Sequence, residues 1–211
     1  MLEAVFLFIT LLTLFLFYIG TGKNLRAVLI FFAWQVVIGL LSFFEVFKEK
    51  PLLFPLAIIA TTLLSILVFK IISIKELNTR YLIGIHIVRI PVELCLYQLF
   101  IKGQIPEIMT FTGWNFDILI GLSALVILIY QFVKKKDLAR PYFLFWNVIG
   151  LLFLSVIVII AILSSPLPIQ QFAFDQPNMA LLEFPYSFLP TCIVPIVFIS
   201  HFLVIKQLKQ L

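Results

Sequence analysis

The sequence predicts an all-α fold, a polytopic transmembrane bundle of about seven helices. Of the 211 residues, 63% are hydrophobic and only 12% are charged, whereas soluble domains carry roughly 25% charged residues. A chain this apolar has too little polar surface to face water, so lipid must be its solvent. The apolar residues also fall into separate segments of ~20 residues, the length that a membrane-spanning helix requires.

Seven apolar segments predict the spans, which together form a single transmembrane domain over residues 1–211. The spans are expected at about residues 3–20, 25–47, 52–73, 81–101, 116–133, 142–164 and 186–206. Glu3 stands where a signal peptide would carry basic residues, so the first segment is expected to remain as a span. Pro51 and Pro141 suit the first turns of the third and sixth spans. Asn115 can cap the fifth span, with Asp117 in its first turn.

Basic residues predict the orientation of these spans, because cytoplasmic loops are enriched in Lys and Arg. With seven crossings, one side of the membrane carries only Lys48, Lys50 and Lys102. The other side carries eleven basic residues, namely Lys23, Arg26, Lys70, Lys75, Arg80, Lys134, Lys135, Lys136, Arg140, Lys206 and Lys209. The N-terminus is therefore predicted outside and the C-terminus in the cytoplasm. Topology also explains the net charge of +5, so no nucleic-acid partner is expected.

The fourth span carries a stripe of polar side chains. At 100° per residue, four positions fall within an arc of ~80° and extend over ~16 Å of helix; they are His86, Arg89, Glu93 and Tyr97. Arg89 and Glu93 are four residues apart and can pair on the same helix. Pro91 removes a backbone hydrogen bond between them and is expected to kink the span.

Other spans add polar residues that could face this stripe. On the seventh span Ser187, Thr191 and His201 share one face, beside two helix-disturbing prolines, and on the second span Gln35, Gly39 and Ser42 do so. His86, His201 and Asn147 each lie a few residues from the cytoplasmic end of their spans. If spans four and seven are neighbours, the two histidine rings should meet.

Three segments resemble an uncharacterised family of small bacterial multi-pass membrane proteins. They read RIPVELCLY, MTFTGWNFDILIGL and FAFDQPNMALLEFPYSFLPTCIVPIVFISH and cover about a quarter of the chain. The resemblance implies a multi-pass protein of the bacterial cytoplasmic membrane. It implies no activity, because none is attached to that family.

Ionisable side chains within a span cost several kcal/mol and tend to mark ligand, proton or ion sites. The favoured hypothesis is a protein that binds or translocates a small polar or amphipathic ligand through a polar intramembrane cavity. In it, Arg89 faces an anionic group and Glu93 is a counter-ion or proton carrier. The candidate ligand-binding residues are His86, Arg89, Glu93, Tyr97, Gln35, Asn147, Thr191 and His201. The alternative is a structural ion-pair network that fixes helix packing.

Three other functions stay open. One is a membrane-embedded enzyme acting on a lipid or isoprenoid substrate, although no catalytic residue can be named. Another is a structural subunit of a membrane complex, and a homo-oligomer is equally compatible with the sequence. The last is a b-type haem protein with His86 and His201 as axial ligands. Otherwise no cofactor and no metal site are expected, and two isolated histidines without an HExxH motif do not supply the ligands of an intramembrane metalloprotease. The middle of the last span also lacks the lysine that retinal would need.

Overall fold

The predicted all-α bundle is confirmed by the computed structural model, which describes residues 1–210 and is 75% helical. Within these residues, seven helical stretches are long and apolar enough to cross a membrane, as in a multi-pass membrane protein. The helices are α1 (Leu2–Gly20), α2 (Leu25–Phe43), α3 (Val46–Glu49), α4 (Leu53–Ile71), α5 (Thr79–Ile87), α6 (Arg89–Ile101), α7 (Asp117–Lys134), α8 (Arg140–Leu163) and α9 (Val194–Gln210). Short 3₁₀ turns lie at Ile74–Glu76, Glu107–Met109 and Ala180–Leu182.

Two of the seven stretches form the centre of the bundle. In their most apolar windows, α5 with α6 is 67% buried and the stretch Leu189–Gln210 is 61% buried, against 22–33% for the other five. Helix α5 packs against α7, α1 and α9, and α9 also packs against α8 and α4. The surrounding helices turn large apolar side chains outward, among them Phe8, Leu63, Phe132 and Phe145. Such a surface suits lipid and would associate in water.

Both central stretches depart from regular α-helix. The fourth span divides at Val88, between α5 and α6. Pro91 has no N–H to offer the carbonyl of Ile87, so the ladder is interrupted where the sequence predicts a kink. In the seventh span a π-helix over Leu189–Ile193 precedes α9. Pro195, in the first turn of α9, likewise leaves the carbonyl of Thr191 without its helical partner.

The second span, predicted over residues 25–47, is a helix that ends at Phe43. Glu45 then adopts a left-handed conformation with φ 58°, and one further turn, α3, follows it. At the end of the bundle where α3 lies, residues 102–116 and 164–183 are in contact with each other. The N–H groups of Met179 and Ala180 both donate to the carbonyl of Gln104, at 3.0 and 3.1 Å. These two segments close the bundle over the central helices.

Candidate functional site

A group of polar side chains lies at the centre of the bundle, held by α5, α6, α7, α8, α9 and the segment before α7. We call it the polar cluster; its members are His86, Arg89, Glu93, Asn115, Asp117, Asn147 and His201. Each member is only 0–5% exposed. Because their surroundings are apolar helices, these groups depend on one another for hydrogen bonds and for charge compensation.

Arg89 is the hub of the polar cluster. Its Nη1 donates to Asp117 Oδ1 at 3.0 Å, and the two side chains are only 3% and 7% exposed. Its Nη2 lies 3.0 Å from His201 Nε2. His201 Nδ1 in turn lies 2.9 Å from Asn147 Oδ1. A continuous chain of contacts therefore joins α7, α6, α9 and α8.

The expected pairing of Arg89 with Glu93 on the same helix is replaced by the pairing of Arg89 with Asp117. The first turn of α7 brings the Asp117 carboxylate alongside α6, where the guanidinium reaches it. A carboxylate oxygen of Glu93 is taken by a different group, since Asn115 Nδ2 donates to Glu93 Oε1 at 2.7 Å. Among residues 1–210, Arg89 forms an ion pair with Asp117 and Glu93 forms none.

Asn115 organises the outer part of the polar cluster. Besides donating to Glu93, its Nδ2 donates to the carbonyl of Met109 at 3.0 Å. Its Oδ1 accepts the backbone N–H of Asp117 at 3.1 Å, an orphan donor at the start of α7. The N-cap of α7 is Phe116 rather than the predicted Asn115, so Asn115 binds the first N–H of the helix from one residue further out. Glu93 Oε2 is left without a hydrogen-bond partner in the described part of the chain.

The two histidine rings meet, as expected for neighbouring spans. His86 and His201 stack with their ring centroids 4.0 Å apart and their planes 29° apart. Trp146 and His86 pack edge to face, with a centroid distance of 5.2 Å. Gly150 leaves the space that His201 occupies, because a Cβ there would lie 2.5 Å from its Nε2. Both ring nitrogens of His86 lack a partner among the described residues.

This stacked pair does not fit the bis-histidine haem site considered from the sequence. Two axial histidines approach the iron from opposite faces of the macrocycle, so their rings must be separated by it. Here the rings face each other directly, and both nitrogens of His201 are already in contact with Arg89 and Asn147. Within residues 1–210, no group of three or more His, Cys, Asp or Glu residues is arranged to hold a metal ion.

A second polar contact joins α2 to the seventh span. Gln35 Nε2 donates to the carbonyl of Thr191 at 2.9 Å, the carbonyl that Pro195 leaves free. Gln35 Oε1 accepts from the Thr191 hydroxyl, also at 2.9 Å. The hydroxyl of Ser187 donates to Ser42 at 3.0 Å, one turn away. Gln35 and Ser42 on α2 therefore meet Thr191 and Ser187 on the seventh span. These hydrogen bonds are separate from those of the polar cluster, to which His201 belongs.

Tyr97 also lies apart from the polar cluster. Its half-buried ring packs against Phe111, with centroids 5.0 Å apart, and against Phe100 at 6.2 Å. Sequence reasoning assigned it to the stripe because it shares a helix face with Glu93. Conversely, the sequence predicts Asn115 and Asp117 only as helix-start residues, whereas both belong to the polar cluster. One sequence signal could have indicated the ion pair. A buried cation such as Arg89 needs a carboxylate, and Asp117 offers one at the beginning of an apolar segment.

A groove of about 410 Å³ lies between α1 and α2. Its lining is apolar except for Thr10 and Gln35, so one wall carries the side chain that binds Thr191. No member of the polar cluster lines this groove, and as whole residues its members are at most 5% exposed. A ligand would reach the polar cluster only after the central helices separate.

A further ion pair lies outside the spanning helices. Lys48 Nζ contacts Glu183 Oε1 at 3.0 Å and Glu45 Oε1 at 3.1 Å. Hydrogen bonds to Glu183 and Glu45 raise the pKa of Lys48 above its ordinary value of 10.5. The Lys48 and Glu183 side chains are 34% and 27% exposed, so water screens this pair far more than the Arg89–Asp117 pair.

Comparison with known proteins identifies the family. The chain belongs to the family described as a domain of unknown function (DUF8737), whose model matches residues 51–209. The match includes every member of the polar cluster and excludes α1 and α2. No curated protein and no solved structure matches the chain. An uncharacterised family was expected from the sequence, and the match agrees with it.

Proposed function

We propose that this protein binds a small polar or amphipathic ligand at the polar cluster and translocates it across a membrane. The observation that carries the proposal is a fully buried cluster whose hydrogen-bonding capacity is not all used. Glu93 Oε2, Arg89 Nε and both nitrogens of His86 have no partner in residues 1–210. Buried polar groups in folded proteins are nearly always paired. Unpaired ones at one place therefore favour a ligand or water that is bound there during function.

The energetic cost of the cluster supports the same interpretation. Three ionisable side chains, Arg89, Glu93 and Asp117, are removed from water among apolar helices. Burying any of them in its charged form costs several kcal/mol, and a single ion pair rarely offsets that cost in full. A fold that needed only tight packing would be as stable with apolar side chains of similar volume. Intramembrane charges of this kind are by default functional.

The breaks in the central helices provide a means of opening the cluster. The fourth span divides at Val88, directly between His86 and Arg89, and the seventh span contains the π-helix that precedes α9. Discontinuous helices beside a buried polar site are typical of transporters, and π-helical turns occur frequently at functional sites. Rotation at these breaks would separate α6 from α9 and admit a ligand to Arg89 and Glu93.

The proposed location is the bacterial cytoplasmic membrane, with the N-terminus outside and the C-terminus in the cytoplasm. The uneven distribution of Lys and Arg supports the orientation, and the family resemblance supports the location. An amphipathic ligand could approach from the bilayer through the groove between α1 and α2. Thr10 and Gln35 would then be the first polar groups that it meets, while Asn147 and His201 would bind its polar part deeper in the bundle.

A ligand screen on the purified protein tests the proposal. Small polar and amphipathic compounds are added to the detergent-solubilised full chain, and the melting temperature is recorded. A compound at 100 times its Kd should add about 2.7 kcal/mol to the stability. The positive compounds are then followed as fluxes into proteoliposomes. The comparison uses Glu93→Gln and, as a matched control, Glu107→Gln, which changes an exposed carboxylate.

The two variants separate the outcomes. Binding and flux should be lost in Glu93→Gln and kept in Glu107→Gln. If Glu93→Gln folds and leaves every binding and flux measurement unchanged, the ligand does not use the polar cluster and the proposal fails.

A further inference from the structure

The charges of the polar cluster do not balance. Arg89 supplies one positive charge, and Asp117 and Glu93 supply two carboxylates. The guanidinium is already directed to Asp117 and His201, at 3.0 Å from each. Of its donors only Nε has no partner among residues 1–210, and the charge of the guanidinium is already balanced by Asp117. The uncompensated group in the cluster is therefore a carboxylate, and what it lacks is a single positive charge.

Glu93 is the carboxylate without a counter-charge. The other charged members of the polar cluster are Arg89, on the same helix, and Asp117, on α7, and these two are paired with each other. The segment before α7 contributes only the neutral amide of Asn115, and the histidines of α5 and α9 complete the cluster. Glu93 is 3% exposed and its Oε2 has no partner in the described chain.

The packing limits what the positive charge can be. The members of the polar cluster are 0–5% exposed and in close contact, so an organic cation would have no place beside Glu93 while the bundle is closed. The residues that could hold a metal ion do not form a group of three within residues 1–210. A proton needs no cavity and no ligand set, since it adds to an oxygen that is already there.

We infer that Glu93 is the proton-binding site of this protein. In the closed bundle the Glu93 carboxylate has accepted one proton, forming an O–H bond and leaving a neutral carboxyl group. When the central helices separate and water reaches Glu93, that bond breaks and the proton passes to water. This inference rests on the proposed function, because it names the proton as the ion whose uptake and release accompany opening of the site to its ligand.

Infrared spectroscopy tests the inference directly. The full-length protein is placed in lipid nanodiscs at about pH 7, where ordinary carboxyl groups are ionised, and the C=O stretching band of a protonated carboxyl is recorded. Glutamate labelled with ¹³C at the side-chain carboxyl should shift this band, whereas labelled aspartate should leave it in place. The band should disappear in Glu93→Gln and persist at full intensity in the matched control Glu107→Gln.

The wild-type labelling experiment keeps the inference falsifiable even if Glu93→Gln fails to fold. Absence of the band, or a band that shifts with labelled aspartate alone, would overturn it. The result is also separate from the ligand screen. A glutamate band with no ligand found would support proton binding while refuting the proposed function. A ligand that binds without any glutamate band would support the function and refute proton binding.

Discussion

Removal of the Arg89 charge is the perturbation whose size the structure fixes best. Arg89→Gln deletes the 3.0 Å contact with Asp117 and the 3.0 Å contact with His201. It also leaves the Asp117 carboxylate buried without a cation. Breaking a buried ion pair by removing one partner costs about 3–5 kcal/mol, chiefly because the other charge is stranded. Asp117→Asn strands the guanidinium instead, and its cost should be of the same size.

The double variant separates charge stranding from ordinary packing. With both Arg89→Gln and Asp117→Asn, neither charge of the pair remains. The residual cost is that of unpaired neutral groups around His201, about 1–3 kcal/mol. The double variant should therefore be more stable than either single variant, although it carries two changes. The coupling is expected because the two side chains are in direct contact.

Thermal unfolding in one detergent, followed by tryptophan fluorescence, measures these differences. For a chain of 150–250 residues, 1 kcal/mol corresponds to about 2–4 °C, so each single variant should melt about 6–20 °C below the wild type. The matched control is Lys48→Gln, which breaks an ion pair with the same 3.0 Å separation but much greater exposure. Exposed pairs contribute about 0–1 kcal/mol, so the control should lose no more than about 4 °C.

The control has its own pH dependence. Because the pKa of Lys48 is raised in the folded protein, its contribution is complete below 10.5 and is lost as the pH rises through the folded value. The small difference between wild type and Lys48→Gln should therefore vanish in strongly alkaline buffer, and also at high salt.

Equal behaviour of the buried and exposed pairs would refute this reasoning. If Arg89→Gln loses no more stability than Lys48→Gln, Asp117 is not stranded and burial of the pair has no energetic consequence. If the double variant loses the sum of the two single losses, the side chains act independently and the 3.0 Å contact does not couple them.

Two further predictions concern how the central helices are held to their neighbours. Gly150→Ala should destabilise the protein by about 1–3 kcal/mol, since the new methyl group overlaps His201. The control Gly84→Ala should be neutral or slightly stabilising, because the nearest neighbour of its new Cβ is 3.9 Å away. The melting temperatures of the two variants check this, and equal losses of stability would contradict the overlap. Gln35→Leu should cost about 1–3 kcal/mol of stability, because it leaves the buried carbonyl of Thr191 unpaired. Adding Pro195→Ala to this variant should recover part of the loss by supplying the missing backbone N–H. A double variant with a lower melting temperature than Gln35→Leu alone would contradict this prediction.

The seven-helix architecture and the central position of the fourth span follow from the sequence alone. Apolar length identifies a span without knowledge of its neighbours. Arg89 and Glu93 in one apolar segment require that this segment face protein rather than lipid, and the burial of α5 and α6 agrees. The contact between His86 and His201 could also be predicted, because each lies a similar number of residues from the cytoplasmic end of its span.

The partners within the cluster could not be obtained in the same way. Residues on one helix fix their own spacing, so Glu93 was the natural partner for Arg89 by sequence. The actual partner, Asp117, depends on how closely α7 approaches α6. That approach is set by Gly121, where a Cβ would lie 2.8 Å from Ile90 Cγ1. A glycine in an apolar segment does not indicate which helix packs against it. The Arg89–Asp117 ion pair can therefore be identified only when the helix packing is known.

Two prolines account for the breaks in the central spans, and the proposed opening of the polar cluster would occur at these breaks. Pro91 and Pro195 each remove one backbone N–H from a central span. At Pro195 the freed carbonyl is bound by Gln35, so the seventh span is fixed to α2 by a side-chain amide. A side-chain hydrogen bond can exchange without unfolding a helix, whereas a backbone ladder cannot. The central spans are thus joined to their neighbours by contacts that can be remade, next to a cluster with unpaired groups at His86 and Glu93. A network that served packing alone would need neither feature, whereas the proposed ligand binding would use both.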